Sequence, residues 1–204
     1  MRLRSTTMGI PMKTSRYELL LIAFRLFLKK GYEQTSMRNL VAASGLSKGA
    51  FHHYFQRKGD LLDACIEHFF SRFLPHVEDA SHSHFAELVE DSAQQYLALL
   101  RELHRLDIPP PAYQRFVWSL LPDHAAEFEQ RQELIANRLV QLAEQDLADG
   151  ILQTPNSAQS LALQAMAIIE GLGILASASP NTAFSTLEAQ FRQGISDYLA
   201  NLRS

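Results

Sequence analysis

Apolar positions along this chain recur three and four residues apart, and the strict alternation that a half-buried strand requires is missing. The first periodic segment spans 14–30, where Leu19, Leu20, Ala23, Phe24, Phe27 and Leu28 form one stripe and Gly31 ends the run. A short helix is predicted over 36–43, with Thr35 or Ser36 as its N-cap. Ser44-Gly45-Leu46 makes a tight turn into a second short helix over 47–55, and a longer helix covers 59–74 before Pro75. Downstream the pattern predicts helices over 84–106, 110–121, 123–149, 157–177 and 182–202, with prolines and glycines between them rather than inside. The expected fold is all-α: a three-helix helix-turn-helix unit over 1–58, then a helical bundle over 59–204.

Charge divides the chain at the same place. Residues 1–60 hold eleven Lys/Arg against three acids, a balance of +8, whereas the rest holds eight against nineteen, a balance of −11. The whole averages to −3 and conceals a basic head on an acidic body. A basic head suits a polyanion, although on charge alone a chance cluster of solvated lysines would read the same. Residues 1–13 are basic and lack an apolar run, so they suggest a basic arm rather than a secretory signal; Met1, Met8 and Met12 are each candidate starts. Cys65 stands alone, which rules out a disulfide framework within the chain and fits a reducing, cytoplasmic setting. No window approaches the about 18 uninterrupted apolar residues of a membrane span, so no membrane partner is expected.

The stretch LSKGAFHHYF, residues 46–55, poses the main question, because paired histidines between aromatics bring metal or acid–base chemistry to mind. Adjacent helical residues point about 100° apart, so His52 and His53 cannot grip one ion from the same helix. Two short helices around a glycine turn form a helix-turn-helix, with Leu40, Val41, Leu46, Phe51 and Phe55 facing inward. The second helix then presents Ser47, Lys48, Gly49, Ala50, His52, His53 and Tyr54. Small residues let backbone approach a groove, and the others donate hydrogen bonds to phosphates or base edges.

The run GYEQTSMRNLVAASGLSKGAFHHYFQRKGDLL resembles the DNA-binding domain of the TetR family of bacterial transcriptional regulators. Gly31-Tyr32, Thr35-Ser36, Leu40, Gly45-Leu46-Ser47, Gly49, Phe51, Phe55, Lys58 and Leu61 carry the resemblance, which covers residues 14–65. His52-His53-Tyr54-Phe55 departs from the commoner Tyr-x-His-Phe, and Val41 and Ser44 stand where alanines are usual. The resemblance implies phosphate contacts from Thr35, Ser36, Ser47, His52, Tyr54 and Lys58. It implies base reading by Lys48, Gly49, Ala50 and His53, with Arg38 where some members reach a base. It further implies a homodimer on a palindromic operator in double-stranded DNA, a repressor role, and release by a small-molecule effector held in the body.

In the body, helices 157–177 and 182–202 carry apolar stripes that would pair two copies through Leu161, Ile168, Leu172, Leu187, Phe191, Ile195 and Tyr198, unless both stripes serve the monomer core. Phe73, Tyr96, Leu100, Phe116 and Trp118 are the candidate lining of a largely apolar effector pocket, with His124 or Arg138 supplying polarity. Any one of these aromatics at helical spacing is more often core than pocket. Chemistry of other kinds finds little support. Glu102-Leu103-His104 has the wrong spacing for a bundle metal site, His82 and His84 beside acids are a weak metal candidate, and no phosphate loop or nucleophile motif occurs. No cofactor, no metal and no enzymatic activity are expected.

Overall fold

The computed structural model describes residues 15–69, 82–179 and 182–203, which form eight α-helices with no strand among them. They are α1 (Arg16–Lys30), α2 (Met37–Ser44), α3 (Lys48–Tyr54), α4 (Lys58–Phe69), α5 (Phe85–Arg105), α6 (Pro110–Ala148), α7 (Ala158–Ala178) and α8 (Phe184–Ala200). The predicted tail of α4, with Phe73 and Pro75, the basic arm and the Pro180-Asn181 turn lie outside the described residues.

Local chemistry explains the ends of the first three helices. Ser15 caps α1 in a capping box: its amide donates to Glu18 Oε2 at 2.8 Å and its Oγ accepts from the Glu18 amide at 3.2 Å. Lys29 and Lys30 complement the negative end of the helix dipole. Ser36 and Asn39 form a similar reciprocal cap on α2, which ends at Gly45 in the left-handed region, φ 69°. Ser47 caps α3, accepting from the Ala50 amide at 3.2 Å. Each such cap is worth about 1 kcal/mol and sets where these short helices begin, while packing supplies most of their stability.

Two helices are expected around Pro122, and the helical run of α6 does divide there: His124 leaves the helical region with φ −124° and ψ 19°, which kinks one half against the other. Proline removes one backbone donor and crowds the preceding turn, which breaks the helical pattern. The first half is packed, with Phe116 and Leu120 buried, whereas no residue from 121 to 138 is buried.

That first half ties the basic head to the body. Phe116 is buried, with its ring 6.0 Å from Phe24 at 82° and 6.3 Å from Phe27 at 6°. Phe24 in turn stacks on Phe69 of α4 at 4.4 Å. A boundary drawn after residue 58 falls at the first residue of α4, but an aromatic cluster crosses it. Head and body therefore share one core rather than meeting through a linker.

Candidate nucleic-acid interface

Helix α3 is held by Phe51, which is fully buried, and by Phe55 just beyond its end. With those two rings inward, Ser47, Lys48, Gly49, Ala50, His53 and Tyr54 are exposed, and His52 is half-buried with its ring 6.4 Å from that of Phe51. His53 and Tyr54 lie edge to face at 5.8 Å. The face thus offers a lysine, an imidazole, a phenol and a serine around a glycine–alanine pair. This composition suits close approach to a groove and hydrogen bonding there. On α2, Ser36 and Arg38 are exposed, and the Ser36 hydroxyl is engaged with Asn39 Oδ1 at 2.8 Å.

Two expected contacts point elsewhere. Thr35 is buried, and its hydroxyl donates to the Gly31 carbonyl at 2.8 Å, closing the turn between α1 and α2. That side chain has no face left for a phosphate. Lys58 is half-buried; its ammonium donates to the Tyr32 carbonyl at 3.0 Å and sits 4.0 Å from the centre of the Tyr32 ring. It fastens α4 to the turn before α2, which sequence spacing does not reveal. Burial first, then the carboxylates of Glu33, Asp63 and Asp123, raise the Tyr32 phenol pKa.

The four described candidate pocket residues differ in their surroundings. Phe73 lies outside the described residues, Leu100 and Phe116 are core, and Trp118 is 64% exposed on the outer side of α6. Tyr96 is half-buried where α5, α6, α7 and α8 converge. Its ring stacks on Phe191 at 5.7 Å, its hydroxyl end lies against Gly173, and Gln114 Nε2 approaches its oxygen at 3.5 Å. Of the polar candidates, His124 meets Glu127 at 2.6 Å beside the kink, and Arg138 donates to the His82 carbonyl at 2.9 Å. An open cleft of about 310 Å³ lies instead between α5 and α8, over Leu97, Phe191, Ile195 and Leu199.

The candidate interface residues also separate. Leu161, Phe191 and Ile195 are buried within one chain, where they serve its own core. Tyr198 is half-buried and donates to the Leu161 carbonyl at 2.8 Å; burial raises its pKa to about 12. Ile168, Leu172 and Leu187 are half-buried. The open apolar face of α7 is made by Leu163, Ile174 and Leu175, at 69%, 50% and 63% exposure. Residues 158–176 of α7 are long and apolar enough to cross a membrane by length and composition, and a third of that window is buried against protein.

His84, at the entrance to α5, is tied to the end of α6. His84 Nδ1 lies 2.9 Å from Asp146 Oδ1, and the Phe85 amide donates to Asp146 Oδ2 at 2.8 Å. Asp146, almost fully buried, thus caps α5 from the end of α6. Among the described residues no group of three His, Cys, Asp or Glu is placed to hold a metal.

Residues 19–65 match the family described as bacterial regulatory proteins, tetR family. The transposon Tn10 TetC protein of Escherichia coli is 40% identical over 54 residues, which span 26% of this chain and 27% of that relative. The fold likeness extends much further. The ketosteroid transcriptional regulator KstR2 of Mycobacterium tuberculosis superposes with a TM-score of 0.68 at 17% identity, covering 96% of this chain and 97% of that one. AibR, solved in complex with isovaleryl coenzyme A and operator DNA, superposes with a TM-score of 0.57 at 20% identity, covering 86% and 95%. The match to the tetR family of bacterial regulatory proteins is carried by residues 19–65, and beyond them the chain shares the helical fold of the regulators on which it superposes.

Proposed function

We propose that this protein is a transcriptional repressor whose two copies occupy a palindromic operator and leave it when a small molecule binds the body. The observation that carries the reading is the outer face of α3, where Ser47, Lys48, Gly49, Ala50, His53 and Tyr54 stand exposed over a buried Phe51. Lys48, Gly49, Ala50 and His53 read bases, with Arg38 of α2 beside them. Ser36, Ser47, His52 and Tyr54 hold phosphates. Thr35 and Lys58 leave this set because both are engaged inside the head.

One short reading helix buries little surface, so useful affinity requires two heads at a fixed spacing. The α7 face of Leu163, Ile174 and Leu175 supplies the association between copies, flanked by Ile168, Leu172 and Leu187. Tyr96, together with Tyr113 and Gln114, belongs to the effector site. An effector that displaces the first half of α6 moves Phe116, and Phe116 carries that shift to Phe24 and Phe27 of the head. The ligand works only by binding one head spacing better than the other. AibR, with its acyl coenzyme A and operator DNA, supports an effector-and-operator reading of this fold. A DNA partner also supports a cytoplasmic location.

Selection of genomic fragments by the purified protein tests the proposal. Enrichment of an inverted-repeat motif is expected, and His53→Ala should change the preferred bases. Recovery of no sequence above background by a folded dimer would remove the reading.

A further inference from the structure

We propose that Arg16, the first residue of α1, grips a DNA phosphate beside the reading helix, an inference that rests on the DNA reading above. Its guanidinium carbon lies 5.3 Å from the centre of the Phe55 ring. Phe55 is the residue at which α3 ends, and its amide donates to the Phe51 carbonyl at 3.1 Å, so the aromatic support belongs to the reading helix itself. A guanidinium held within about 6 Å of a ring centre is fixed in place, while its N–H edge stays available to another partner. Arg16 is exposed, and among the described residues its guanidinium has neither a hydrogen bond nor an ion pair. The nearest acid in sequence, Glu18, is engaged in capping, where its carboxylate accepts from the Ser15 amide. Other cations of the head are placed differently. Arg57 is bound to Asp60, and Lys58 to the Tyr32 carbonyl. Lys29 and Lys30 close the far end of α1, a helix of 15 residues and about 22 Å.

The dimensions of α3 give this position its use. The helix has 7 residues and is about 10 Å long. The major groove is about 12 Å wide. A helix whose first residues meet base edges therefore ends beside the phosphate wall. Phe55 is at that end, and Arg16 stands over it. Arginine suits the task because its planar fork meets a phosphate with two parallel hydrogen bonds. Such a contact carries no sequence information; it sets the register of α3 on the duplex.

Fluorescence anisotropy of a selected operator fragment with the full chain, across a series of salt concentrations, tests this. Arg16→Met keeps an apolar stem over Phe55 and removes the charge. The slope of log affinity against log salt should fall by about 1 in this variant, so its deficit narrows roughly threefold to fourfold between 0.05 and 0.2 M salt. Arg16→Lys should restore the slope, because it returns the charge. The bases preferred in selection should stay the same in both variants. Should Arg16→Met fold poorly by circular dichroism, Arg16→Gln gives the same reading. Identical slopes for the unmodified protein and the neutral variant overturn the proposal, even where thermal unfolding shows lost stability, since Arg16 then only shields Phe55. A changed base preference with an unchanged slope overturns it too. No salt-dependent binding by the unmodified protein removes the DNA reading and this contact with it, whereas normal binding with equal slopes removes the contact alone.

Discussion

The ring of Phe116 lies parallel to that of Phe27, with centroids 6.3 Å apart and planes inclined by 6°. One residue sits in the reading head and the other in the body, so the two cannot move independently without losing this contact. Phe116→Ala should cost about 3–5 kcal/mol of stability, as deletion of a buried ring does elsewhere. Denaturant unfolding measures it, and a second transition appearing in the variant would show head and body melting apart.

Lys58 and Tyr32 give a contrasting expectation. The ammonium is held by the Tyr32 carbonyl and ring, so Lys58→Ala should destabilise the head by roughly 1–2 kcal/mol. Its effect on the salt dependence of DNA binding should be negligible. A slope lowered as much as by loss of an exposed lysine would return Lys58 to the phosphate contacts.

Gly173 leaves room for the hydroxyl end of Tyr96, which occupies the position that a β-carbon would need. Gly173→Ala should destabilise by about 1–3 kcal/mol through overpacking. Pairing it with Tyr96→Ala should cost less than the sum of the two single changes, read by a double-mutant cycle of thermal unfolding.

The His84–Asp146 contact makes stability pH-dependent. The hydrogen bond to Asp146 first, then nearby carboxylates, raises the His84 pKa in the folded protein. A raised folded pKa contributes stability that is present in full below the ordinary histidine value and is lost as pH rises through the folded one. The unfolding midpoint of the unmodified protein should therefore exceed that of His84→Gln by more at pH 6 than at pH 8.5. A difference independent of pH would contradict it.

The head was legible because its structure is written locally. Ser15, Ser36 and Ser47 cap their own helices, Gly45 makes its own turn, and Phe51 and Phe55 fall on the inner face by period alone. Thr35 and Lys58 were misread because each bonds to a carbonyl in the turn region around Gly31 and Tyr32, and the direction of a side chain at such a junction is a tertiary fact. The body was legible as helices and opaque as a site. An aromatic at helical spacing reads the same whether it turns inward, as Phe116 does, or outward, as Trp118 does. Phe191 and Ile195 had the same ambiguity between core and interface, and α5 decided it by packing against them. Pro122 announced a break, and the helical pattern does break two residues on, at His124.

The central claim is that α3 reads DNA with Lys48 on its exposed face. Fluorescence anisotropy of a selected operator fragment, titrated with the unmodified protein and with Lys48→Ala across a series of salt concentrations, tests it most directly. The expected result is a linear fall of log affinity with log salt, with the slope lowered by about 1 in the variant. Identical slopes for the two proteins, or an affinity indifferent to salt, would contradict it.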